Sequence, residues 1–332
     1  MDKIRPIEIF CGTGGVGKTT IASSRAIHLA KNQNVLLITI DPSKRLKQVL
    51  KLSDATPGEV VECDFENTKF DVLLMDPLST LRKISEKQNI DIDNANYLLP
   101  LLFKPFGGMN EIMSLVELYL LKEDSIYDVI ILDTPPGKHF LDFLNTARSI
   151  NNFFDSSFPE IFKAIKGNNK KKGLFSKIVS SGIGKLMKYL EFVTGPDFTE
   201  NFIDSIIVIY SLKDVFLNSL AVEKELNNPD TTHYYLVTSA DQTKIKEADQ
   251  LSNSALKEQN RNGTLVINKI CSQFLQDWTP HNDQLFDLRN NLLERENLIK
   301  QLLSDAFDDV LEFPEILSND PSVHVTKLLN NW

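Results

Sequence analysis

The sequence predicts an α/β fold: a doubly wound, mainly parallel sheet with a helical insertion. Short, nearly continuous apolar runs recur along the 332 residues, as in strands that are buried on both faces. Segments with the apolar spacing of helices lie between several of these runs, and alternating strands and helices are typical of parallel sheets. One stretch, from about Leu141 to Leu226, breaks the alternation; it is rich in Phe, Ile, Leu and Lys and has few convincing strands.

The predicted strands are apolar runs bounded by turn-forming or charged residues. In chain order they are Ile7 to Phe10, Val35 to Ile40, Val72 to Met75, Val129 to Leu132, Tyr234 to Thr238, Leu265 to Ile267 and Val310 to Phe313. Helical patterns run from Thr20 to Lys31 and from Lys244 to Gln259. We therefore predict a core of residues 1–140 and 230–332, interrupted by a mostly helical insertion of residues 141–229.

Composition and charge exclude several classes of protein. The net charge of -9 argues against nucleic acid as the main partner, because binding to a phosphate backbone needs clustered Lys and Arg. Three cysteines far apart in sequence fit a reducing compartment and not a disulfide framework. No signal-peptide pattern opens the chain, and no apolar run approaches the roughly 18 residues that span a bilayer. We expect a cytoplasmic protein.

A phosphate-binding pattern follows the first predicted strand. Its residues are Gly12, Thr13, Gly14, Gly15, Val16, Gly17, Lys18, Thr19 and Thr20. They match G-x-x-x-x-G-K-[ST] and lie between a strand and a helix, where the backbone N–H groups and the helix N terminus can cradle an anion. Lys18 would contact the β and γ phosphates of ATP, and the Thr19 hydroxyl would ligate Mg²⁺. The sequence therefore predicts binding of ATP or ADP with Mg²⁺.

A second acid for the metal should follow a buried strand near this loop. Asp133 ends an apolar run, and the stiff turn Thr134-Pro135-Pro136-Gly137 after it suits a switch that senses the γ-phosphate. Asp76 ends a run of similar shape, but Pro77 and a helix start follow it, which favours a helix-capping carboxylate. We favour Asp133, acting on the metal through a bound water.

Asp41 ends the second predicted strand. An aspartate at the carboxyl edge of a parallel strand faces the crevice in which open α/β sheets bind ligands. There it would orient or deprotonate the attacking water, and hold the metal through water. Because Asp41-Pro42 is also a common turn opening, a purely structural turn is the alternative.

Together these segments resemble the ArsA-like anion-transporting ATPases. That family includes the arsenite-pump ATPase and the cytosolic ATPase that targets tail-anchored membrane proteins. The matching pieces are the loop Gly12 to Thr20, a switch I motif from Thr39 to Leu46, a switch II motif from Asp133 to His139, and a nucleotide-base region from Thr238 to Asn268. The resemblance runs from end to end of the chain, and the insertion matches only in helical character.

The resemblance implies roles for matching positions. Asp41 would be the water-activating acid, Asp133 the metal-side acid and Asn268 the adenine contact. Asp241 stands where the family often has a nucleotide-contacting glutamate, and Pro314 would close over the base. Without the resemblance, an asparagine that ends a strand would be the preferred interpretation of Asn268. The family works as homodimers, so a homodimer coupled to a client protein or a membrane partner is implied.

Three departures separate the chain from the two characterised branches. Most members have a lysine at the second loop position that reaches the partner's phosphates, whereas this chain has Thr13, whose hydroxyl cannot stabilise negative charge as a cation does. We hypothesise that Lys44, Arg45 or Lys138 supplies that charge; for each one, a solvated surface cation is the alternative.

The other two departures concern cysteines. No C-x-x-C pair is present, so the zinc of the targeting branch is not expected. The arsenite branch holds its effector with converging cysteines, whereas Cys11 and Cys271 are better interpreted as small buried hydrophobes, which makes arsenite a doubtful effector.

The insertion and the overall function leave alternatives open. The apolar spacing from Leu174 to Phe192 fits either a client-binding or membrane-surface helix or, more commonly, the core face of an ordinary helix. The leading function is Mg²⁺-dependent ATP hydrolysis coupled to movement of a helical client or effector region. The alternatives are a nucleotide-controlled binding switch with little hydrolysis, and a partition or cell-division type of ATPase.

Overall fold

The computed structural model describes residues 4–40, 45–52, 55–92, 108–124, 126–156, 192–257, 263–303 and 307–332. The chain divides into two units, of which the first comprises Met1–Asp76, Leu121–Leu144 and Glu223–Trp332, and the second Pro77–Leu120 and Asn145–Val222. Residues 77–120 thus group with the helical unit, although the sequence analysis assigned them to the core. The predicted insertion of residues 141–229 stays a prediction.

An eight-stranded sheet forms the first unit. Its strands are β1 Ile7–Gly12, β2 Val35–Thr39, β3 Val60–Phe65, β4 Thr68–Leu74, β5 Val129–Asp133, β6 Thr232–Ser239, β7 Gly263–Ile270 and β8 Asp309–Pro314. They lie in the order β3-β4-β2-β5-β1-β6-β7-β8, and every neighbouring pair except β3 and β4 is parallel. The predicted α/β fold with a mainly parallel sheet is confirmed, and β1 lies inside the sheet between β5 and β6.

Strand β3 was not predicted from the sequence. It is an edge strand that pairs antiparallel with β4, and most of its side chains are partly or fully exposed. An edge strand of this kind carries no continuous apolar run. The two strands are joined by Glu66 and Asn67, both in the left-handed region with φ of 50° and 63°, as in a tight two-residue hairpin.

Helices of the first unit pack along the sheet. They are α1 Lys18–Ala30, α2 Arg45–Leu50, α5 Lys138–Leu144, α10 Gln242–Leu251, α11 Ser272–Leu275, α12 Asp283–Leu303 and α13 Pro321–Leu328. A π-helix, Ser252–Lys257, continues α10, and a 3-10 turn, Leu329–Asn331, follows α13. The predicted helix from Lys244 to Gln259 thus begins two residues earlier in the structure, and its last residues lie outside the described part.

A buried ion pair fastens α1 to the sheet. Arg25 on α1 donates two hydrogen bonds, of 2.9 and 2.8 Å, to the carboxylate of Glu8 on β1, and both side chains are at most 2% exposed. The Arg25 guanidinium also lies 4.9 Å from the ring centre of Trp332. The Trp332 indole N–H donates to Ser24 on α1 at 2.8 Å. The helix that follows the glycine-rich loop is therefore fixed by polar contacts as well as by its apolar face.

The second unit consists of helices in its described part. They are α3 Pro77–Lys87, α4 Met109–Asp124, α6 Thr146–Ser156, α7 Pro196–Ser211, α8 Lys213–Ser219 and α9 Ala221–Leu226, with the ends of α4 and α9 passing into the first unit. The buried Glu117 on α4 accepts hydrogen bonds from Thr80 and Lys83 on α3, at 2.6 and 2.7 Å.

No single helix among the described residues is long and apolar enough to cross a bilayer. Helix α7 together with the following segment to Leu226 reaches that length and composition only as a pair bent by 50°. The segment from Leu174 to Phe192 fits either a client-binding or membrane-surface helix or, more commonly, the core face of an ordinary helix. It lies outside the described residues, except for Phe192 at its end.

Candidate functional site

The loop between β1 and α1 has a backbone that only glycine adopts easily. Gly12 has φ of 146°, and a Cβ on it would lie 2.2 Å from the Val237 carbonyl oxygen of β6. Gly17 has φ of 96°, and a Cβ on it would lie 2.3 Å from the amide nitrogen of Asn268. Gly15 has φ of 81° and faces open space. The loop is thus held against β6 and β7 at both ends and exposes its middle.

The loop ends where α1 begins, at Lys18. Gly17 is the N-cap residue of this 13-residue helix and has no side chain that could occupy the first amides, so the helix N terminus can receive an anion. The Lys18 ammonium folds back over the loop and donates to the Thr13 carbonyl at 3.0 Å. Val16 and Thr20 on either side are buried and anchor the loop in the core.

Asp133 meets the hydroxyl of Thr19 at the end of β5. Thr19 Oγ1 donates to Asp133 Oδ2 at 2.7 Å, and Thr39 Oγ1 donates to the same oxygen at 3.2 Å. Asp133 is 3% exposed, and its strand lies directly between β1 and β2, so the three residues come from adjacent elements. Hydroxyl and carboxylate oxygens are the donors that Mg²⁺ prefers, so this group fits a magnesium site. The pairing of Thr39 with Asp133 was not predicted from the sequence.

Asp76, the rival acid, lies elsewhere in the sheet. It follows β4, which β2 and β5 separate from β1. Asp76 immediately precedes α3, which begins at Pro77. The structure therefore brings Asp133, and not Asp76, to the glycine-rich loop.

The segment after Asp133 is tied to β1. The Thr134 hydroxyl donates to the Phe10 carbonyl at 2.8 Å, and the Gly137 N–H donates to the Gly12 carbonyl at 3.2 Å. These bonds join the predicted switch II motif to the strand that leads into the loop. Movement of one segment would therefore shift the other.

A small cavity of about 120 Å³ lies at the loop. Its lining residues are Gly14, Gly15, Gly17, Lys18, Thr19, Arg45, Asp133, Thr134 and Pro136. Lys18 and Arg45 are its cations, and Asp133 is its acid. Asp41 and Lys44, which the sequence analysis also assigned to this region, lie outside the described residues.

A larger cavity of about 520 Å³ lies beside the first and shares Gly14 and Pro136 with it. Thr13, Lys138 and Lys244 are among its lining residues. The Thr13 side chain is 3% exposed, and its hydroxyl has no hydrogen-bond partner among the described residues. Thr13 is thus a buried neutral group at the edge of this cavity.

Residues assigned to the nucleotide base lie at the ends of β6, β7 and β8. The Asn268 amide donates to the Val16 carbonyl of the loop at 2.8 Å, with the side chain buried. The Asp241 carboxylate caps α10 by accepting from the N–H groups of Thr243 and Lys244 at 2.9 and 3.2 Å. Pro314 ends β8 and is partly exposed. Asn268 therefore touches the loop directly, whereas Asp241 serves as a helix cap.

None of the three cysteines, all of which lie in the described part of the chain, forms a disulfide bond. Cys11 and Cys63 are buried and Cys271 is half-buried. Burial raises the pKa of the Cys63 thiol to about 12, and the charge of Asp64 adds to that increase. Burial likewise raises the pKa of Cys271. No group of three or more His, Cys, Asp or Glu side chains suited to a metal ion occurs in the part of the chain that the structure describes.

The sequence is similar to one protein family and to several individual proteins. The sequence matches the model of the family described as anion-transporting ATPase over residues 6–311. It is 25% identical over 264 residues to ATPase get3 of Schizosaccharomyces japonicus, covering 78% of this chain and 72% of that protein. It is 25% identical over 313 residues to an ATPase ASNA1 homolog of Plasmodium yoelii yoelii, covering 90% of this chain and 70% of that protein. ATPase GET3 of Malassezia globosa is 31% identical over 185 residues, covering 51% of this chain and 54% of that protein.

Proposed function

The chain belongs to the anion-transporting ATPase family and is an ATPase, and we propose that it hydrolyses ATP in a magnesium-dependent reaction that changes the conformation of its helical region. The observation that carries the magnesium dependence is the contact between Thr19 and Asp133. A hydroxyl from the first turn of α1 and a carboxylate from the end of β5 form the pair of oxygen donors that such a site needs beside a phosphate cradle.

Each residue of the site has a defined task in this proposal. The loop amides and the N terminus of α1 bind the β and γ phosphates, and Lys18 leaves the Thr13 carbonyl to contact them. Thr19 and Asp133 would hold Mg²⁺, Asp133 through a bound water, and the ion would supply positive charge beside the phosphates. Asp41 would orient or deprotonate the attacking water and would also hold the metal through water. Asn268 and Pro314 flank the base, and Asp241 lies at the edge of the same region.

We extend the proposal to assembly and partners. The chain forms a homodimer with two nucleotides at a shared interface, as the family resemblance implies. Residues 141–229 form the client or effector region, which holds an unidentified client protein or contacts a membrane partner, and the protein acts in the cytoplasm. The support is similarity to the ATPase get3 and ATPase ASNA1 relatives.

A second candidate function is a nucleotide-controlled switch with very slow hydrolysis. The buried, neutral Thr13 favours it, because no lysine at this position can reach a partner's phosphates. A partition or cell-division type of ATPase is a third candidate. No described contact supports the third candidate in particular.

Steady-state phosphate release separates these candidates. The experiment compares wild type with Asp41→Asn and with Asp76→Asn, a matched control on the rival strand end. Turnover that is lost in Asp41→Asn and kept in Asp76→Asn supports the ATPase mechanism. Wild-type release no faster than that of Asp41→Asn, with ATP binding intact, would favour the switch. Wild-type protein that binds neither ATP nor ADP would overturn the proposed site.

A further inference from the structure

One of the three candidate cations, Arg45, lines the phosphate cavity. Arg45 is the first residue of α2 and lines the same 120 Å³ cavity as Lys18, Thr19 and Asp133. We infer that Arg45 is a catalytic residue whose guanidinium contacts the γ-phosphate and stabilises the charge that develops during its transfer. This inference rests on the proposed function, and it assigns to the chain's own switch region the positive charge that Thr13 cannot supply.

The backbone of Arg45 is anchored although its side chain is exposed. Leu46, Val49 and Leu50 of α2 are at most 3% exposed and belong to the same apolar core as Phe10 of β1 and Leu37 of β2. Lys47 donates to the Ala55 carbonyl at 2.5 Å and fixes the outer side of the same short helix. Because its backbone is fixed, only the side chain of Arg45 has to become ordered when it binds a ligand.

Arg45 makes no ion pair with any described residue, whereas Arg25, Lys83 and Lys244 are each paired with a glutamate. The nearest acid of the cavity, Asp133, accepts hydrogen bonds from Thr19 and Thr39 on one of its oxygens. An unpaired guanidinium in the lining of a cavity favours an anion there, and its planar fork matches two phosphate oxygens.

The other candidate cations are placed less well. Lys138 lines the neighbouring 520 Å³ cavity and is absent from the lining of the smaller one. Thr13 lines that larger cavity too, and its hydroxyl is buried and neutral. Among the described residues, Lys18 and Arg45 are therefore the two cations at the phosphate cavity. An arginine supplied from the same chain is a known way to stabilise phosphoryl transfer in nucleotide hydrolases.

Binding of a transition-state mimic tests the inference without relying on turnover. Calorimetry would measure the affinity for ADP with Mg²⁺, in the presence and absence of aluminium fluoride, which imitates the transferring phosphoryl group. In wild type, aluminium fluoride tightens ADP binding, since transition-state analogues bind more tightly than ground-state ligands. Arg45→Ala should lose about 10²-fold of that tightening and a similar factor in turnover, with its affinity for ADP alone unchanged. Arg45→Lys keeps the charge but not the planar fork of the guanidinium. Its tightening of ADP binding by aluminium fluoride should therefore lie between those of wild type and Arg45→Ala.

The controls separate failure of this inference from failure of the proposed function. Arg82→Ala removes an exposed arginine on α3, and it should behave as wild type. The assignment would be overturned if aluminium fluoride tightened ADP binding in Arg45→Ala as much as in wild type. It would also be overturned if Lys138→Ala lost this tightening and Arg45→Ala kept it. Wild-type protein without nucleotide binding or turnover would contradict the proposed function itself. Thermal melts of each variant show whether it is folded.

Discussion

The Thr19 hydroxyl donates a 2.7 Å hydrogen bond to the carboxylate of Asp133, 114 residues further along the chain. The bond joins the first turn of α1 to the end of β5. It exists because β5 lies directly beside β1 in the sheet, so that residues at their carboxyl ends meet. Thr39, at the end of β2 on the other side of β5, adds a second bond to the same oxygen.

Thr39 is expected to position Asp133. Thr39→Val keeps the shape of the side chain but removes the bond to a charged acceptor, which is worth about 1.5 kcal/mol or more. We expect the Mg²⁺ concentration for half-maximal ATP turnover to rise by about tenfold, with ADP affinity in EDTA unchanged. A magnesium titration checks this result. Thr39→Ser retains the hydroxyl and should restore the wild-type titration, whereas a Val variant with normal Mg²⁺ dependence would show that Thr39 only fills space.

Asp133 is expected to be essential for turnover and Asp76 dispensable. Asp133→Ala removes the carboxylate beside Thr19 and should lower kcat by about 10²-fold or more, as for the loss of a group that stabilises transition-state charge. Asp76→Ala should retain turnover, because β2 and β5 separate its strand from the loop. Phosphate release measured for both variants decides between the two acids, and equal losses would remove the distinction.

Gly17 is expected to tolerate no side chain because of Asn268. In Gly17→Ala the new Cβ would lie 2.3 Å from the Asn268 amide nitrogen and would also occupy the left-handed region, which costs about 1–2 kcal/mol. Gly15→Ala carries a comparable φ cost but meets open space. We therefore expect Gly17→Ala to be less stable than Gly15→Ala in urea unfolding and to bind ADP more weakly.

A double variant isolates the steric part of this effect. Gly17→Ala combined with Asn268→Ala removes the atom that the new Cβ would strike. Part of the stability lost in Gly17→Ala should return in the double variant, even though Asn268→Ala alone loses the bond to the Val16 carbonyl. Strictly additive losses would contradict the contact between the two residues.

The sequence allowed the parallel strands and the glycine-rich loop to be predicted because both depend on local patterns. The run before Gly12 is apolar except for Glu8, and the loop needs glycine at particular backbone angles. Strand β3 was missed because an edge strand is apolar on one side at most. The partnership of Thr39 with Asp133 was missed because it depends on which strands are neighbours, and strand order is not encoded in any single segment. For the same reason, Lys138 and Arg45 could not be told apart until their cavities were known.

The buried pair of Glu8 and Arg25 is expected to stabilise the site through α1. Arg25→Met keeps an apolar stem between the rings of Trp332 and Tyr235 but leaves the Glu8 charge in the core without its guanidinium partner. Breaking a buried ion pair from one side costs about 3–5 kcal/mol, so the urea midpoint should fall sharply.

Replacing both partners should be far less damaging than replacing one. Glu8→Leu with Arg25→Met removes both buried charges and keeps side chains of similar bulk, a change that is often neutral when the new residues pack well. If the pair serves mainly to hold α1 in place, the double variant should recover most of the lost stability and bind ADP as wild type does. Stability that recovers while ADP affinity stays low would instead mean that the pair fixes the position of the loop, because α1 carries Lys18 and Thr19 in its first turn.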